Sequence, residues 1–394
     1  MLNLAGFQGL DEELRVDTSE GQPQYLLVSG RGNPIKLSAS AYHLVRGVHA
    51  GRSFEALAAE LSRQGERAVS AGEVETAFRS VAERIADIDA QAGADILPPG
   101  FWLRARLIPA RIVERIASCL AFAYHPVAAL PLLAVIGVTF AFMLRQDLSV
   151  SLAGGAVWGG YLLFILSLLV HELGHASACA RYGAAPSDIG FTLYLVYPAF
   201  YSDVTSAWRL RRWQRVVVDL GGTFFQFVVA GTFVVAYAAS GWEPLKAAFV
   251  MIGYGALFSL NPVFRFDGYW VLADALGVTN LSRQPSILFR RLRDRLRGRE
   301  TAPLPWPRWV ILILAVYTPL AFLTWAWFVV RLVPFLIGET LGYPAAVLAL
   351  ARAQGTAAWR EAGALLATTL LLIALWYGTW SLVRSLIPRK ERSS

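Results

Sequence analysis

The chain has 394 residues, of which 56% are hydrophobic and only 16% are charged. Because about a quarter of the residues of a soluble domain are charged, this composition excludes a wholly soluble protein. The net charge of +8 is uneven: residues 1–90 contain 13 acidic and 9 basic residues, so the remainder carries +12, which favours contact with anionic lipid rather than nucleic acid.

The N-terminal part predicts a small folded module. Residues 1–21 predict a flexible lead, and residues 22–90 predict a soluble domain. Gln24 to Ser29 has the composition of a strand, and three short helices are predicted after it. A capping box from Ser70 to Glu73 begins the third of these helices. One strand followed by three helices is typical of a winged-helix-like α+β domain.

A connecting region, residues 91–120, is predicted to contain a linker and an interfacial helix. Residues 91–100 have the composition of a linker. In residues 101–117, Trp, Leu and Ile are interspersed with four arginines, which suits a helix lying in the membrane interface. An ordinary basic flank before a membrane span is an equally good interpretation.

Residues 121–388 predict a membrane domain of about six spans, so the fold class is mainly α and polytopic, and a basic tail, residues 389–394, closes the chain. Each span has close to the 20 apolar residues that cross a bilayer. Residues 335–351 are apolar but short, and their Glu, Gly and Pro favour a re-entrant or surface segment. The predicted spans cover residues 123–144, 152–177, 216–238, 246–264, 309–333 and 362–383.

Arginine-rich loops predict the orientation of these spans. The loops 181–215 and 283–308 and the C-terminal tail are rich in arginine, whereas the connections 145–150 and 240–245 are not. With six spans, this asymmetry predicts a multi-pass membrane protein with both termini in the cytoplasm. The second and fourth spans then both end on the cytoplasmic side.

The second predicted span ends in His171, Glu172 and His175. Residues four apart lie on one helix face, so the two imidazoles can bind one ion. Zinc accepts two imidazoles and a third protein ligand, and Glu172 is placed to take a proton from a water molecule. The motif also occurs by chance and histidines also pack, but three ionisable groups at the end of a membrane helix favour function.

Asp267, after the fourth span, is the candidate for the third ligand. A proline ends or bends that span, and Gly268 frees the turn that follows, so the carboxylate can point inward. The alternative is a carboxylate at a helix end that pairs with Arg265. Asp219, near the start of the third span, and Asp203, in an aromatic loop, are rival ligands.

The segments "HELGHA" and, on a later span, "NPVFRFDG" together resemble the paired signature of the site-2 proteases, which are intramembrane zinc metalloproteases. The resemblance covers about residues 150–275. It implies that His171, His175 and Asp267 bind Zn²⁺, that Glu172 activates water, and that a peptide bond in or near the membrane is hydrolysed. Asn261 in the second segment can donate to a substrate backbone or to the oxyanion.

The loop "YPAFYSDVTSAW" and the basic segment "WRLRRWQR" look like the branch of peptide zinc metalloproteases associated with peptide export or maturation. This resemblance makes a peptide exporter a candidate partner. The chain lacks the PDZ-like insertion of many site-2 proteases, which disfavours a regulatory cascade. Residues 191–208 can offer a strand edge to a substrate or form an interfacial aromatic belt.

The segment "YLLVSGRGNPIKLSASAYHLVRGVHAGRSFEALAAEL" resembles a PqqD-like domain, a module that binds leader peptides. The resemblance implies that a peptide adds as a strand near Tyr25–Val28 and Phe78–Ile85. The alternative is a plain winged helix that binds DNA or only packs. DNA is disfavoured because the domain is acidic.

These observations predict an intramembrane zinc endopeptidase. Its expected substrate is a membrane-associated or ribosomally made precursor peptide, or a transmembrane segment, which the N-terminal domain binds. The first alternative is a peptide-binding or export-accessory protein of the same fold that does not cleave, and the intact Glu172 argues against it. The second is a membrane-tethered regulator that uses residues 22–90 on DNA.

Overall fold

The computed structural model describes residues 14–17, 24–28, 34–64, 68–91, 101–150, 155–194, 197–278, 280–299 and 306–352, together with scattered positions between 301 and 377. The chain is mainly helical and forms two compact units. One unit comprises Met1–Asp95, Ile108–Ile189 and Ser202–Val316. The other comprises Ile96–Leu107, Gly190–Tyr201 and Tyr317–Ser394.

The N-terminal domain contains three strands and three helices. They are β1 (Leu14–Asp17), β2 (Gln24–Val28), β3 (Pro34–Leu37), α1 (Ala39–His49), α2 (Phe54–Gln64) and α3 (Ala71–Gln91). The antiparallel sheet has the order β1-β2-β3. The Ser70 side chain accepts from Glu73 N at 3.3 Å, and the Glu73 carboxylate accepts from Ser70 N at 2.8 Å, which is the predicted capping box.

Two expectations for this domain were wrong. Residues 14–17 lie in the predicted flexible lead but form β1, because pairing with β2 satisfies their backbone groups. The strand predicted to receive a peptide, at Tyr25–Val28, is central and paired on both sides, so among the described strands the edges belong to β1 and β3. Phe78, a predicted peptide contact, is 4% exposed and packs in the domain core with Leu27, Tyr42 and Leu57.

A second sheet contains β4 (Phe101–Ile108), β5 (Ile189–Tyr194) and β6 (Tyr197–Ser202) in the order β4-β5-β6. The prediction of a helix over residues 101–117 was therefore wrong for its first half, and α4 (Ala110–Leu120) forms only the second half. Leucine and alanine alternate with Arg104 and Arg106 in β4, and this period of two is typical of a strand. The aromatic loop does contain strand, as its composition predicted.

Within the described residues, four helices are long and apolar enough to cross a membrane: α5 (Pro126–Met143), α6 (Gly155–Arg181), α7 (Arg212–Ser240) and α11 (Arg308–Arg352). They coincide with the first, second, third and fifth predicted spans. The fourth predicted span coincides with α8 (Glu243–Ser259), whose 17 residues fall short of the usual crossing length. The sixth, residues 362–383, lies largely outside the described residues, so the count of six stays a prediction.

Helix α11 continues through the segment that the sequence predicted to be re-entrant or superficial. Its 45 residues, which include Pro334 and Pro344, form one helix, so residues 335–351 are not a separate element, and their re-entrant or surface position stays a prediction. A proline removes one helical hydrogen bond, but an apolar environment makes leaving the helix costlier still. Two shorter helices, α9 (Asp267–Leu276) and α10 (Gln284–Leu296), precede α11.

Small residues bring α6 and α7 into backbone contact. A side chain at Gly174 would collide with the carbonyl oxygen of Gly221 on the facing helix. The Tyr124 hydroxyl donates to the Gly174 carbonyl oxygen at 2.8 Å and also contacts the Gly221 carbonyl oxygen at 3.3 Å. This close contact sets the distance between the helix that carries both histidines and the helix that faces them.

Candidate metal centre

His171 and His175 lie on consecutive turns of α6 and point toward α7. Their side chains are 11% and 9% exposed, so both imidazoles are largely buried. The two Nε2 atoms are 3.1 Å apart, as the four-residue spacing predicted. The histidines therefore present two nitrogen atoms to one point in the protein interior.

Asp267 brings a carboxylate to the same point from α9. Its Oδ2 lies 3.1 Å from His171 Nε2, and its Oδ1 lies 3.7 Å from His175 Nε2. One potential ligand atom from each of the three residues lies within 4.8 Å of the other two. Of the three aspartates considered from the sequence, the structure brings this one to the histidines.

The turn between α8 and α9 places Asp267 at the first position of α9. The Asn261 Oδ1 accepts from Val263 N at 2.9 Å and holds the turn around the proline. A side chain at Gly268 would collide with the Leu260 carbonyl, so glycine is required here for close approach rather than for a special backbone angle. A carboxylate at a helix N-terminus is also favoured by the helix dipole.

Neighbouring residues fix the orientation of the Asp267 carboxylate and of the His175 imidazole. Val218 on α7 offers its carbonyl oxygen to His175 Nδ1 at 2.7 Å, so that nitrogen carries a proton and Nε2 is the atom that faces the candidate metal position. Ser259 donates to Asp267 Oδ2 at 3.0 Å. Burial raises the pKa of the Asp267 carboxyl, but His175, His171 and Ser259 outweigh it and lower that pKa to about 2. The carboxylate is therefore ionised at neutral pH.

Gly222 on α7 leaves the space in which the imidazoles meet. A Cβ atom at this position would collide with Nε2 of both His171 and His175. Two nitrogen ligands and one carboxylate match the donor set that zinc takes in catalytic sites. The residues present therefore fit a zinc ion.

Glu172 follows the first histidine, and its carboxylate is held by a residue that the sequence did not single out. Ser202, the last residue of β6, donates from Oγ to Glu172 Oε2 at 2.7 Å. The predicted general base therefore lies beside the ligands and is anchored at one oxygen. The serine lies within the aromatic loop, but no pattern in that loop pointed to this contact.

The chain is 27% identical over 174 residues to the "Putative peptide zinc metalloprotease protein YydH" of Bacillus subtilis (strain 168). The similarity is to a zinc metalloprotease. The aligned part covers 43% of this chain and 69% of the relative. No family model matches the chain, and no solved structure matches it.

The rival aspartates have other surroundings. Asp203 is exposed, and its Oδ1 accepts from Thr205 N at 2.9 Å, which closes a local turn. Asp219 lies on α7, and its Oδ2 is buried and has no hydrogen-bond partner among the described residues. The predicted alternative of an Asp267–Arg265 pair is also not what forms, because Arg265 donates to Ser282 at 3.1 Å while Asp267 faces the histidines.

An ion pair that the sequence did not predict joins helix α9 to α7. Arg215 contacts Asp274 Oδ1 through Nε at 2.8 Å and through a terminal nitrogen at 2.7 Å, and both side chains are largely buried. Arg212 donates to the carbonyl oxygens of Asp274 and Ala275 at the end of α9. These contacts hold the far end of the short helix that begins with Asp267.

Proposed function

We propose that this chain is an intramembrane zinc endopeptidase of the site-2 protease kind. The observation that carries the proposal is the convergence of His171, His175 and Asp267, whose ligand atoms lie within 4.8 Å of one another beside Glu172. In this proposal the three residues hold Zn²⁺. The similarity to a zinc metalloprotease supports the same chemistry.

In this proposal each residue of the site has its own role in peptide hydrolysis. Bound zinc would supply Lewis acidity at the scissile carbonyl. The Glu172 carboxylate takes the proton of the attacking water and passes it to the leaving amine. Ser202 keeps that carboxylate in place through its hydrogen bond, and Val218 keeps the His175 lone pair directed at the metal. Asn261 is assigned the role of donor to the substrate or the oxyanion, through the amide nitrogen that its turn leaves available.

The proposed setting is a membrane, with the protein crossing it several times. The apolar helix α6 runs directly into the candidate ligands. The arginine-rich loops favour an orientation with both termini and the centre toward the cytoplasm. In a bacterium this would be the cytoplasmic membrane. Helices hide their amides, so a precursor peptide or transmembrane segment must unwind or arrive extended before it is cut.

The N-terminal domain is proposed to bind the peptide as a PqqD-like module. A peptide that adds as a strand needs a free sheet edge, and in the order β1-β2-β3 the outer strands are β1 and β3. The proposal therefore moves the peptide from Tyr25–Val28 to one of these outer strands. A peptide exporter that takes up the product is a further proposed partner, and nucleic acid is not expected.

Metal analysis of the purified full-length chain tests the proposal. We expect about one zinc per chain in the wild type, and a loss in His171→Ala and Asp267→Asn, because each removes a ligand. Asp203→Asn is the matched control and should keep its zinc. Glu172→Gln should keep zinc but lose cleavage of a quenched-fluorescent library of apolar peptides.

Two outcomes would count against this function. A wild-type chain without zinc, or an Asp267→Asn variant with full zinc, would remove the proposed centre. If the wild type binds zinc but cuts no member of the library, and behaves as Glu172→Gln does, the non-cleaving accessory protein becomes the better assignment.

A further inference from the structure

The two imidazoles are supported differently by α7, although they stand on one face of α6. His175 Nδ1 lies 2.7 Å from the Val218 carbonyl. His171 Nδ1 is buried and has no hydrogen-bond partner within the described part of the chain. An imidazole that binds a metal through Nε2 normally donates its other N–H to an acceptor, which fixes the ring and its tautomer. His171 therefore needs an acceptor that the fold must provide nearby.

Gln226 stands where such an acceptor is needed. It lies on α7 one turn beyond Gly222, the residue against which both imidazoles pack, and it is 3% exposed. Its amide nitrogen lies 3.1 Å from the hydroxyl oxygen of Ser167, which is one turn before His171 on α6. Gly222 packs against His171 Nε2 and Gln226 bonds to Ser167, so the Gln226 amide lies beside the turn of α6 that ends in His171.

The orientation of the Gln226 amide follows from the hydroxyl beside it. Ser167 donates its only hydroxyl proton to the Phe164 carbonyl oxygen at 2.6 Å. Its oxygen can then only accept from Gln226, so the amide must present its NH₂ group to Ser167. The carbonyl oxygen of Gln226 is consequently the end of the amide that is left for His171.

We propose that Gln226 is a positioning residue, which accepts the Nδ1 proton of His171 and so holds the Nε2 lone pair of that ring toward the metal. The inference rests on the proposed zinc site. A buried relay then runs from the Phe164 carbonyl through Ser167 and Gln226 to His171. It gives the first histidine the support that Val218 gives the second, through a side chain instead of the backbone.

Zinc affinity of the full-length chain, measured by competition with a chelator, tests this role. We expect Gln226→Met, which keeps the volume but has no strong acceptor, to bind zinc about 10–100-fold more weakly. Gln226→Glu keeps an acceptor and should restore the affinity to within about 3-fold of the wild type. Thr223→Val is the matched control, because it also changes a buried polar side chain of α7 and should bind zinc as the wild type does.

The absorption spectrum of the cobalt-substituted chain is the second readout, since a ligand that rotates changes the visible bands. We expect these bands to shift in Gln226→Met and to return in Gln226→Glu. If Gln226→Met has the affinity and the spectrum of the wild type, this inference is overturned while the proposed function stands. Equal losses in both Gln226 variants would also overturn it, because they would indicate that Gln226 only packs. A wild type and a Thr223→Val variant that both bind no zinc would instead overturn the proposed function, and this inference with it.

Discussion

Ser202 donates a hydrogen bond from Oγ to the Glu172 carboxylate, with 2.7 Å between Oγ and Oε2. Glu172 is flanked on α6 by the two buried histidines, and Ser202 ends a strand that follows in the chain. A hydrogen bond to a charged group contributes about 1.5–3 kcal/mol. This contact is therefore strong enough to keep the candidate base in one orientation.

Ser202→Ala should lower the turnover of a peptide that the wild type cuts. We expect kcat to fall about 10-fold, because a base that samples several orientations is less often aligned with the attacking water. Zinc content should not change, because within the described part of the chain the serine makes no hydrogen bond to a candidate ligand. Steady-state kinetics and metal analysis on the same preparation measure the two effects.

Ser206→Ala is the matched control for that variant. Its hydroxyl donates to the Ala185 carbonyl oxygen at 2.7 Å and makes no described hydrogen bond to the candidate base. Equal kcat values for the two serine variants would contradict a role for Ser202 in holding Glu172.

The metal ligands could be predicted because their signals are local. His171 and His175 share a helix face by spacing alone, and Asp267 follows a proline and precedes a glycine in a short segment. The structure places these three together. Ser202 and Gln226 could not be predicted, because each acts through a contact between distant parts of the chain, and a lone polar residue has no period or spacing that identifies its partner.

The errors in the predicted fold have the same kind of cause. Arginines in residues 101–108 suggested an interfacial helix, yet the alternation of period two in that segment predicts the strand β4 that forms. In α11, Glu339, Gly342 and Pro344 suggested a separate re-entrant or surface segment, but the apolar sequence on both sides favours a continuous helix. Both predictions relied on residue composition. The structure that forms follows instead from the alternation of residues in β4 and from the apolar sequence around the prolines in α11.

Gly222→Ala should abolish zinc binding without unfolding the chain. The added methyl group would occupy the space between Nε2 of His171 and Nε2 of His175, and His175 cannot swing away without losing its contact with the Val218 carbonyl. We expect the zinc content to fall below about a tenth of the wild-type value, since the shift displaces two ligands at once. Metal analysis of the purified variant measures this loss.

Gly253→Ala provides the control, because it makes the same change in helix α8 at a site with no neighbouring atom within 4 Å of the new methyl group. It should keep its zinc, and it should be slightly more stable, since alanine favours a helix over glycine by up to about 1 kcal/mol. Full zinc in Gly222→Ala would show that the imidazoles do not meet where the structure places them.

Asp274→Ala should destabilise the chain strongly. The side chain of Arg215 is 8% exposed and that of Asp274 is 15% exposed, so the change would leave a buried cation without its partner. Breaking a buried pair from one side costs about 3–5 kcal/mol. Asp294→Ala removes one partner of the more exposed pair with Arg293 and should cost less than about 1 kcal/mol. Denaturation in detergent compares the two, and similar midpoints would contradict a clamp between α7 and α9.

Helix α10 has the features of a helix that lies on an anionic membrane surface. Three apolar side chains at spacings of three and four residues are exposed: Phe289 by 57%, Leu292 by 58% and Leu296 by 80%. Exposed arginines lie beside this face at positions 290, 293 and 297. Such a helix inserts its apolar side chains between lipids while its cations contact the phosphates.

A fluorophore sensitive to polarity, attached at Leu296→Cys in a chain with Cys119→Ser, reports on this contact. We expect its emission to shift to the blue in nanodiscs that contain phosphatidylglycerol, and to shift less in phosphatidylcholine alone. Replacing Arg290, Arg293 and Arg297 by Gln should remove the difference, because each cation near an anionic surface contributes about 1 kcal/mol. The same change at the exposed arginines 46, 63 and 79 of the N-terminal domain removes equal charge and should leave the difference intact. Identical emission in both lipids for the unmodified helix would mean that α10 does not bind anionic lipid.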